Sequence, residues 1–237
     1  MTLLQDQDIK TREVLDWKGL HLLHADFSTC SQKTRIFLTL KGVDWVSHSV
    51  DLARQQNYTP WFLGINPRGL VPVLIHDGVV QIESNDILVY LEKTFPEPSL
   101  IPAGREEEMN QLLEQEDDLH LDVRALTMRF VVPRKVASKN PKALAVYEED
   151  PGTVGGAADL HKQDQLKFWN GFARHGTTDE QARTSAHRFK RCFETLDRRL
   201  EDHAYLMGEG LTLLDIAWFI YTDRLTAAGY PFARLHP

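Results

Sequence analysis

The stretch VPVLIHDGVVQI, residues 71–82, limits the possible folds of this chain more than any other. Two β-rich runs flank the pair Asp77-Gly78. An Asp-Gly pair between apolar runs is typical of a two-residue hairpin turn. The stretch therefore predicts two adjacent antiparallel strands, and the apolar spacing of residues 84–95 predicts a helix directly after them.

The segment before this hairpin has the pattern of a β-α-β unit. The run LHLLHA, residues 20–25, predicts a short buried strand, and Ser31 to Lys41 carries an apolar stripe with helical spacing. Gly42 follows where a helix C-cap glycine belongs, and residues 43–52 alternate like a second strand. A β-α-β unit followed by a hairpin and a helix is the order of a thioredoxin-like α/β domain.

The second part of the chain predicts helices. Three prolines and a glycine in residues 96–104 favour a domain boundary there. Apolar residues share one face over 112–130 and form a helical seam over 182–200. Thr212 and Asp215 have the spacing of a capping box at the start of a further helix.

We therefore predict an α/β domain followed by an all-α domain. Residues 1–18 form an N-terminal extension, 19–98 the thioredoxin-like domain, and 99–237 a helical domain. Residues 131–177 are poorly periodic, which predicts an insertion or a long irregular connection within the helical domain.

Charge and cysteine content narrow the possible partners. The net charge is −7, from 27 basic and 34 acidic residues, so the chain has no electrostatic signature of nucleic-acid or membrane binding. Its two cysteines, Cys30 and Cys192, favour a reducing cytoplasmic setting over a disulfide framework or a metal site. No apolar run reaches the roughly 20 residues of a membrane helix.

A cluster of small polar residues, Ser28 to Ser31, lies where the first strand gives way to the first helix. Such residues commonly cap helices, and a helix N-terminus attracts anions. Pro72 lies at the start of a predicted strand, where proline marks an end or an edge. A cis Val71–Pro72 bond would turn the Val71 backbone toward a ligand, whereas a trans edge proline would have no such role.

Four stretches together resemble the glutathione transferase family: FSTCSQKTRIFLTLKG, NPRGLVPVLIHDG, ESNDILVYLE and GEGLTLLDIAW. The first is most similar to zeta-class enzymes and to related bacterial reductive dehalogenases. The middle stretches and the long insertion also resemble bacterial lignin β-etherases and ganglioside-induced differentiation-associated relatives. The resemblance implies a glutathione-binding thioredoxin-like domain, a helical substrate-binding domain and a homodimer.

The resemblance also implies roles for single residues. Ser28 occupies the position of the zeta-class serine that donates a hydrogen bond to the glutathione sulfur. Thr29 and Cys30 complete this loop, and Ser31 is placed to cap the helix. Cys30 either tunes the site, forms mixed disulfides with glutathione, or serves only in packing. A helix start favours its thiolate form.

The other implied contacts hold the ends of glutathione. Glu83 would pair with the γ-glutamyl ammonium, and Ser84 would bind the neighbouring carboxylate at a helix N-terminus. The same two residues also fit a simple helix cap with an acidic first turn. Gln56, or Gln55 in a shifted register, would face the glycine carboxylate. Arg68 would either supply local positive charge to the site or, as an exposed arginine next to Gly69, be solvated.

The predicted function is transfer by a glutathione thiolate to an electrophilic, apolar small molecule, without a metal. Conjugation, dehalogenation and reductive ether cleavage all begin in this way. Two alternatives stay open, a glutathione-dependent thiol reductase that uses Cys30 and a non-catalytic protein that binds partners through its insertion.

Overall fold

A computed structural model describes residues 2–149 and 151–236, which form two compact units. The first unit runs to Lys93 and also contains Ser138–Arg174, which we call the inserted segment. The second unit contains Thr94–Ala137 and the residues from His175 onward. The sequence pattern predicts residues 131–177 as part of the helical domain, whereas the contacts group the inserted segment with the N-terminal unit.

The first unit has a mixed five-stranded sheet. Its strands are β1 (Thr2–Leu3), β2 (Leu20–His24), β3 (Val46–Ser49), β4 (Val73–His76) and β5 (Val79–Ile82). The spatial order is β1-β5-β4-β2-β3, in which only β2 and β3 are parallel. Helices of this unit are α1 (Thr29–Lys41), α2 (Pro60–Leu63) and α3 (Ser84–Thr94). The thioredoxin-like order predicted from the sequence is confirmed.

The hairpin between β4 and β5 has the predicted turn. Asp77 and Gly78 have φ values of 50° and 83°, and a tight hairpin turn with both central residues in this region matches the strand twist. A Cβ atom at Gly78 would lie 2.1 Å from the carbonyl oxygen of Leu15. Glycine is therefore required both by the turn and by the close approach of the N-terminal residues.

The N-terminal residues are part of the sheet rather than a separate extension. Thr2 and Leu3 pair with β5 as an antiparallel edge strand. Leu4, Ile9 and Val14 are buried in the core cluster that also contains strand residues of β2, β4 and β5. A two-residue strand and two short 3₁₀ turns have no periodicity, so the sequence pattern did not reveal this packing.

The described residues of the inserted segment, 138–149 and 151–174, form helices and a hairpin. Of the two predicted alternatives, the long irregular connection is therefore wrong, and the insertion stays. After α6 (Arg134–Ala137) it forms α7 (Pro141–Glu149), a small hairpin of β6 (Thr153–Val154) and β7 (Ala157–Ala158), and α8 (His161–His175). The buried face of α8 has helical spacing but includes two polar side chains: Lys162, Gln165, Trp169 and Phe172. Apolar periodicity alone therefore could not detect this helix.

The second unit is helical. Its main helices are α4 (Glu106–Asp117), α5 (His120–Phe130), α9 (Asp179–Leu200) and α10 (Leu213–Ala227), followed by the short α11 (Phe232–Leu235). The predicted capping box of α10 is present, and an Asp215 carboxylate oxygen accepts the Thr212 N–H at 2.8 Å. None of the helices that the structure describes is long and apolar enough to cross a membrane.

Candidate functional site

Four of the strand ends lie at one edge of the sheet. Val73, the first residue of β4, pairs with Leu23 near the end of β2 and with Ile82 at the end of β5. His24, the last residue of β2, pairs with Ser49 at the end of β3. The candidate site residues lie in the segments that adjoin these ends, so the fold brings their backbones to the same edge.

Ser28 is the N-cap residue of α1. Its backbone is extended, with φ −73° and ψ 123°, and its Oγ accepts a hydrogen bond from the Ser31 N–H at 3.3 Å. The expectation that Ser31 caps the helix is therefore wrong. The Ser31 side chain is fully buried instead, and its Oγ accepts the Ala25 N–H at 3.2 Å, which fixes the turn from β2 into the helix.

Thr29 and Cys30 are the first two residues of α1, and both are half-buried. Their position places them at the positive end of the helix dipole. The Cys30 carbonyl oxygen accepts a hydrogen bond from the Thr34 hydroxyl at 3.1 Å. Ser28, Thr29 and Cys30 therefore form the N-terminus of α1, and a helix N-terminus is a favourable environment for an anion.

Arg35 holds the loop before Ser28, a role that the sequence did not reveal. Its guanidinium donates to the carbonyl oxygens of Ala25 at 3.2 Å and Asp26 at 3.1 Å. It also donates to His24 Nδ1 at 3.0 Å, so His24 carries its proton on Nε2 and donates to the Ser47 hydroxyl at 2.7 Å. We call residues 25–31, with their cap, the hydroxyl loop.

The second part of the edge is formed by Val71 and Pro72. The Val71–Pro72 peptide bond is cis, and Pro72 is buried. Strand β4 begins only at Val73. Among the residues that the structure describes, no backbone hydrogen bond uses the N–H or C=O of Val71.

The third part of the edge is formed by Glu83 and Ser84. Glu83 has a left-handed φ of 68°, which is uncommon for a residue with a side chain, and it leads directly from β5 into α3. Ser84 is the first residue of α3 and is 6% exposed. Its hydroxyl makes no hydrogen bond to any residue in the described part of the chain.

Arg68 lies next to this third part, and the expectation that it is solvated is wrong. Its side chain is 14% exposed. The guanidinium binds Asp159 with two bonds, Nε to Oδ2 at 2.6 Å and Nη2 to Oδ1 at 3.0 Å. Its Nη1 donates to Glu83 Oε1 at 2.6 Å. We call Arg68, Glu83 and Asp159 the Arg68 ion network.

The pKa of Arg68 reflects this network. Burial alone would lower the pKa of the guanidinium, but the bonds and charges of Asp159 and Glu83 outweigh burial and raise the pKa above its ordinary value. The side chain is therefore a permanent cation between two carboxylates. Asp159 lies 91 positions from Arg68 in the inserted segment, so no local sequence pattern links the two residues.

Other contacts hold the inserted segment against the loop that carries Arg68. The Tyr147 hydroxyl donates to the Arg68 carbonyl oxygen at 2.8 Å. A Cβ atom at Gly69, which has a φ of 62°, would lie 3.1 Å from the Tyr147 ring and 3.0 Å from the Tyr58 ring. Glycine at this position thus permits the close packing between the loop and the inserted segment.

The two candidate glutamines lie after β3 at the same sheet edge. Gln56 is exposed, and its Oε1 accepts the Asp51 N–H at 2.8 Å. Gln55 has a φ of 59°, and its Oε1 accepts the Asn140 N–H of the inserted segment at 2.9 Å. In both residues the side-chain amide nitrogen is the group that the described contacts leave for a carboxylate.

No cluster of three or more His, Cys, Asp and Glu side chains suited to a metal ion occurs in the described residues. Cys192, in α9, is half-buried, and burial raises the pKa of its thiol although Arg188 and Arg191 act in the opposite direction. Neither cysteine is in a disulfide.

Two family models match this chain. Residues 27–94 match the N-terminal domain and residues 179–237 the C-terminal domain of glutathione S-transferase. Glutathione S-transferase 1 of Dianthus caryophyllus is 29% identical over 202 residues, which are 83% of this chain and 73% of that protein. The fold and these matches define a chain that belongs to the glutathione transferase family of enzymes.

A more specific similarity is to the protein LigF of Sphingobium sp. strain SYK-6. The two sequences are 32% identical over 197 residues, which are 80% of this chain and 72% of LigF. The crystal structure of the β-etherase LigF matches with a TM-score of 0.75 and 28% identity, covering 92% of this chain and 88% of the other. A maleylacetoacetate isomerase of Pseudomonas aeruginosa is 42% identical over 79 residues, which are only 32% of this chain and 37% of that enzyme.

Proposed function

We propose that this protein activates glutathione as a thiolate, held by Ser28, for attack on an electrophilic carbon of an apolar small molecule. The sulfur forms a bond to that carbon, and the electron pair leaves with the displaced group, a halide or an alkoxide, or moves into a conjugated system. The helix N-terminus and the Ser28 hydroxyl stabilise the sulfur anion before attack.

The observation that carries this proposal is the hydrogen bonding of the Ser28 hydroxyl. A hydroxyl has one donor and two acceptor positions. Ser28 Oγ uses an acceptor position for the Ser31 N–H, and among the described residues its proton has no acceptor. Capping fixes the oxygen in place and leaves the hydroxyl proton for a sulfur anion. The Ser28 hydroxyl can therefore accept the bond that caps the helix and donate a bond to the thiolate at the same time.

The remaining contacts suit a tripeptide along the sheet edge. The unused backbone groups of Val71 next to Pro72 suit pairing with the cysteinyl backbone. The hydroxyl of Ser84, a residue that is only 6% exposed, and the first N–H groups of α3 suit the γ-glutamyl carboxylate. Glu83 suits the ammonium, and the side-chain amide of Gln56 suits the glycine carboxylate.

The relatives suggest candidate substrates. LigF is named a β-etherase in its solved structure, and shorter matches are named maleylacetoacetate isomerase. We infer that aryl ethers with an electrophilic carbon are the first class to examine, followed by aryl halides and maleylated acids. Reductive ether cleavage would transfer glutathione to carbon and release a phenol or alcohol.

The decisive experiment is calorimetric titration with glutathione, followed by turnover of these three substrate classes. The Ser28→Ala variant is expected to bind glutathione, to show less thiolate absorbance at neutral pH, and to lose at least about tenfold in kcat/KM. Thr178→Ala is the matched control, because Thr178 caps α9 through its hydroxyl in the same way. Undiminished turnover by Ser28→Ala rejects the role of Ser28.

A thiol reductase that uses Cys30 is the second candidate function. The favouring observation is the place of Cys30 in the first turn of α1, next to Ser28. If Cys30→Ala abolishes exchange with a glutathione mixed disulfide and leaves ether cleavage intact, the reductase activity is established beside the transferase activity. Absence of glutathione binding would favour the other alternative, a non-catalytic protein that binds partners through its insertion.

We also propose a homodimer in the cytoplasm. The family resemblance supports the dimer, and two cysteines outside any disulfide support a reducing compartment. Sedimentation velocity tests the first statement, and fractionation of cells that produce the protein tests the second.

A further inference from the structure

The Arg68 ion network has one positive and two negative charges. Asp159 is bound through both of its oxygens to Arg68, and its side chain is only 10% exposed. Glu83 is bound through Oε1 alone, its side chain is 31% exposed, and no residue in the described part of the chain binds its Oε2. The excess negative charge therefore lies on the accessible carboxylate, Glu83.

We propose that Asp159, a residue of the inserted segment, makes the γ-glutamyl subsite select for a free ammonium group. Asp159 acts through Arg68 as a positioning residue: its two bonds neutralise the guanidinium and hold its Nε and Nη2 away from Glu83. Glu83 then keeps one free oxygen and an uncancelled charge for the ligand. This inference rests on the proposed function, because it concerns how glutathione is recognised.

The physical reason is competition for one cation. Without the Asp159 charge, Arg68 would pair with Glu83 alone, and a bidentate pair of these two groups would be neutral. An ammonium ligand gains little from a carboxylate that an arginine already neutralises, and it is repelled by the guanidinium. With Asp159 present, the network has a net charge of −1 and attracts a cation.

The first measurement needs no variant. Calorimetry compares glutathione with glutaryl-cysteinyl-glycine, which has the same skeleton but lacks the γ-glutamyl amino group. The wild-type protein is expected to bind glutathione at least about tenfold more tightly, the size of one charge-assisted hydrogen bond. Equal affinities overturn the inference, whereas failure of both peptides to bind overturns the proposed function itself.

The second measurement changes the charge of the network. Asp159→Asn is expected to reduce the preference for glutathione to about threefold or less. The affinity for glutathione should fall, and the affinity for the analogue should change little. Asp6→Asn is the control for loss of one negative charge, because Asp6 forms an exposed ion pair with Arg12 in the same unit. This control is expected to keep the full preference.

The double variant Arg68→Gln/Asp159→Asn separates charge from structure. It restores a net charge of −1, carried by Glu83, so the preference for the ammonium is expected to recover to at least half of its wild-type fold-change. If Asp159 were only structural, the double variant would have the lowest preference of the set. That result, or a full tenfold preference in Asp159→Asn, overturns the inference.

Discussion

The hydroxyl loop and the Arg68 ion network lie at the same sheet edge, but they are built in different ways. The hydroxyl loop comprises residues 25–31, and one helix cap, the turn before it and the nearby Arg35 guanidinium fix its geometry. The Arg68 ion network joins a loop, a strand end and the inserted segment across 91 positions of chain. One region depends on local backbone geometry, the other on the docking of a distant segment.

This difference has an energetic consequence. The neutral hydrogen bonds of the hydroxyl loop contribute about 1 kcal/mol each. The charges of the Arg68 ion network are largely buried, so removal of one member leaves the others without compensation. We therefore expect substitutions in the network to affect the stability of the first unit most, and substitutions in the loop to affect chemistry most.

The largest expected effect is that of Arg68→Met. The substitution leaves the Asp159 carboxylate buried without a cation, and breaking a buried ion pair in this way costs about 3–5 kcal/mol. The free energy of unfolding from urea denaturation measures the loss. Arg54→Met, which removes a long and exposed pair with Asp51, is the control and should leave the unfolding midpoint unchanged. An equally small loss in both variants would contradict the importance of the network.

Asp8 provides a second test of long-range docking. Its buried carboxylate accepts the Thr153 hydroxyl at 2.5 Å and the N–H groups of Gly155 and Gly156 at 2.9 and 3.0 Å, all in the inserted segment. Asp8→Asn is expected to lose roughly 2 kcal/mol of unfolding free energy. The amide NH₂ group of asparagine would replace one accepting oxygen and would face the hydroxyl and N–H donors of the inserted segment. Protease resistance of the inserted segment should fall in parallel.

The pH dependence of this effect has a definite sign. Burial alone would raise the pKa of Asp8, but the hydrogen bonds from Thr153, Gln5, Gly156 and Gly155 together hold the pKa below its ordinary value. The stabilisation is therefore fully present above the ordinary pKa of about 3.9 and is lost as the pH falls through the lower folded value. Wild type and Asp8→Asn should differ at pH 6 and converge in acid; a constant difference would assign the loss to packing instead.

The next smaller effect concerns Ser28, where capping and chemistry can be separated. Ser28→Ala is expected to lose about 1 kcal/mol through the missing cap, whereas Ser28→Asp keeps an acceptor for the Ser31 N–H and should retain the stability. The aspartate donates no proton at neutral pH and repels a thiolate. Both variants should therefore lose turnover, but only the alanine variant should lose stability in thermal unfolding.

The same contrast explains what the sequence could predict. The strands, α1 with its Gly42 cap and the Asp77-Gly78 turn depend on neighbours in the chain, and their residue types follow from local geometry. The sheet edge that collects the candidate residues then follows from the order of the elements. This part of the site was predictable because its determinants are close together in sequence.

The remaining part was not predictable for a physical reason. Arg68 next to Gly69 has the pattern of a solvated surface arginine, and only the fold shows that Asp159 reaches it. The inserted segment buries Lys162 and Gln165 on its helix α8, so polar residues replace the apolar stripe that sequence reading depends on. Long-range pairing of charged groups has no periodic signal in a single sequence.

The smallest expected effect tests whether the hydroxyl loop, too, has an electrostatic component. Burial lowers the pKa of His24, and so do the charges of Arg35 and His48, whereas Asp26 raises it by less. A lowered pKa means that the folded protein holds the neutral ring. Stability is therefore full above the ordinary pKa of about 6.5 and decreases as the pH falls from there toward the folded value.

His24→Gln should make the unfolding free energy depend less on pH between pH 7 and pH 5. The remaining pH dependence is the part that His48 contributes through its own lowered pKa. His187→Gln, at an exposed position of α9, is the control and should keep the wild-type slope. If His24→Gln also keeps that slope, Arg35 holds the loop through the Ala25 and Asp26 carbonyl oxygens alone. The protonation state of His24 would then not contribute to the stability of the hydroxyl loop. The loop would depend on backbone hydrogen bonds from nearby residues, whereas the Arg68 ion network depends on the charge of a distant one.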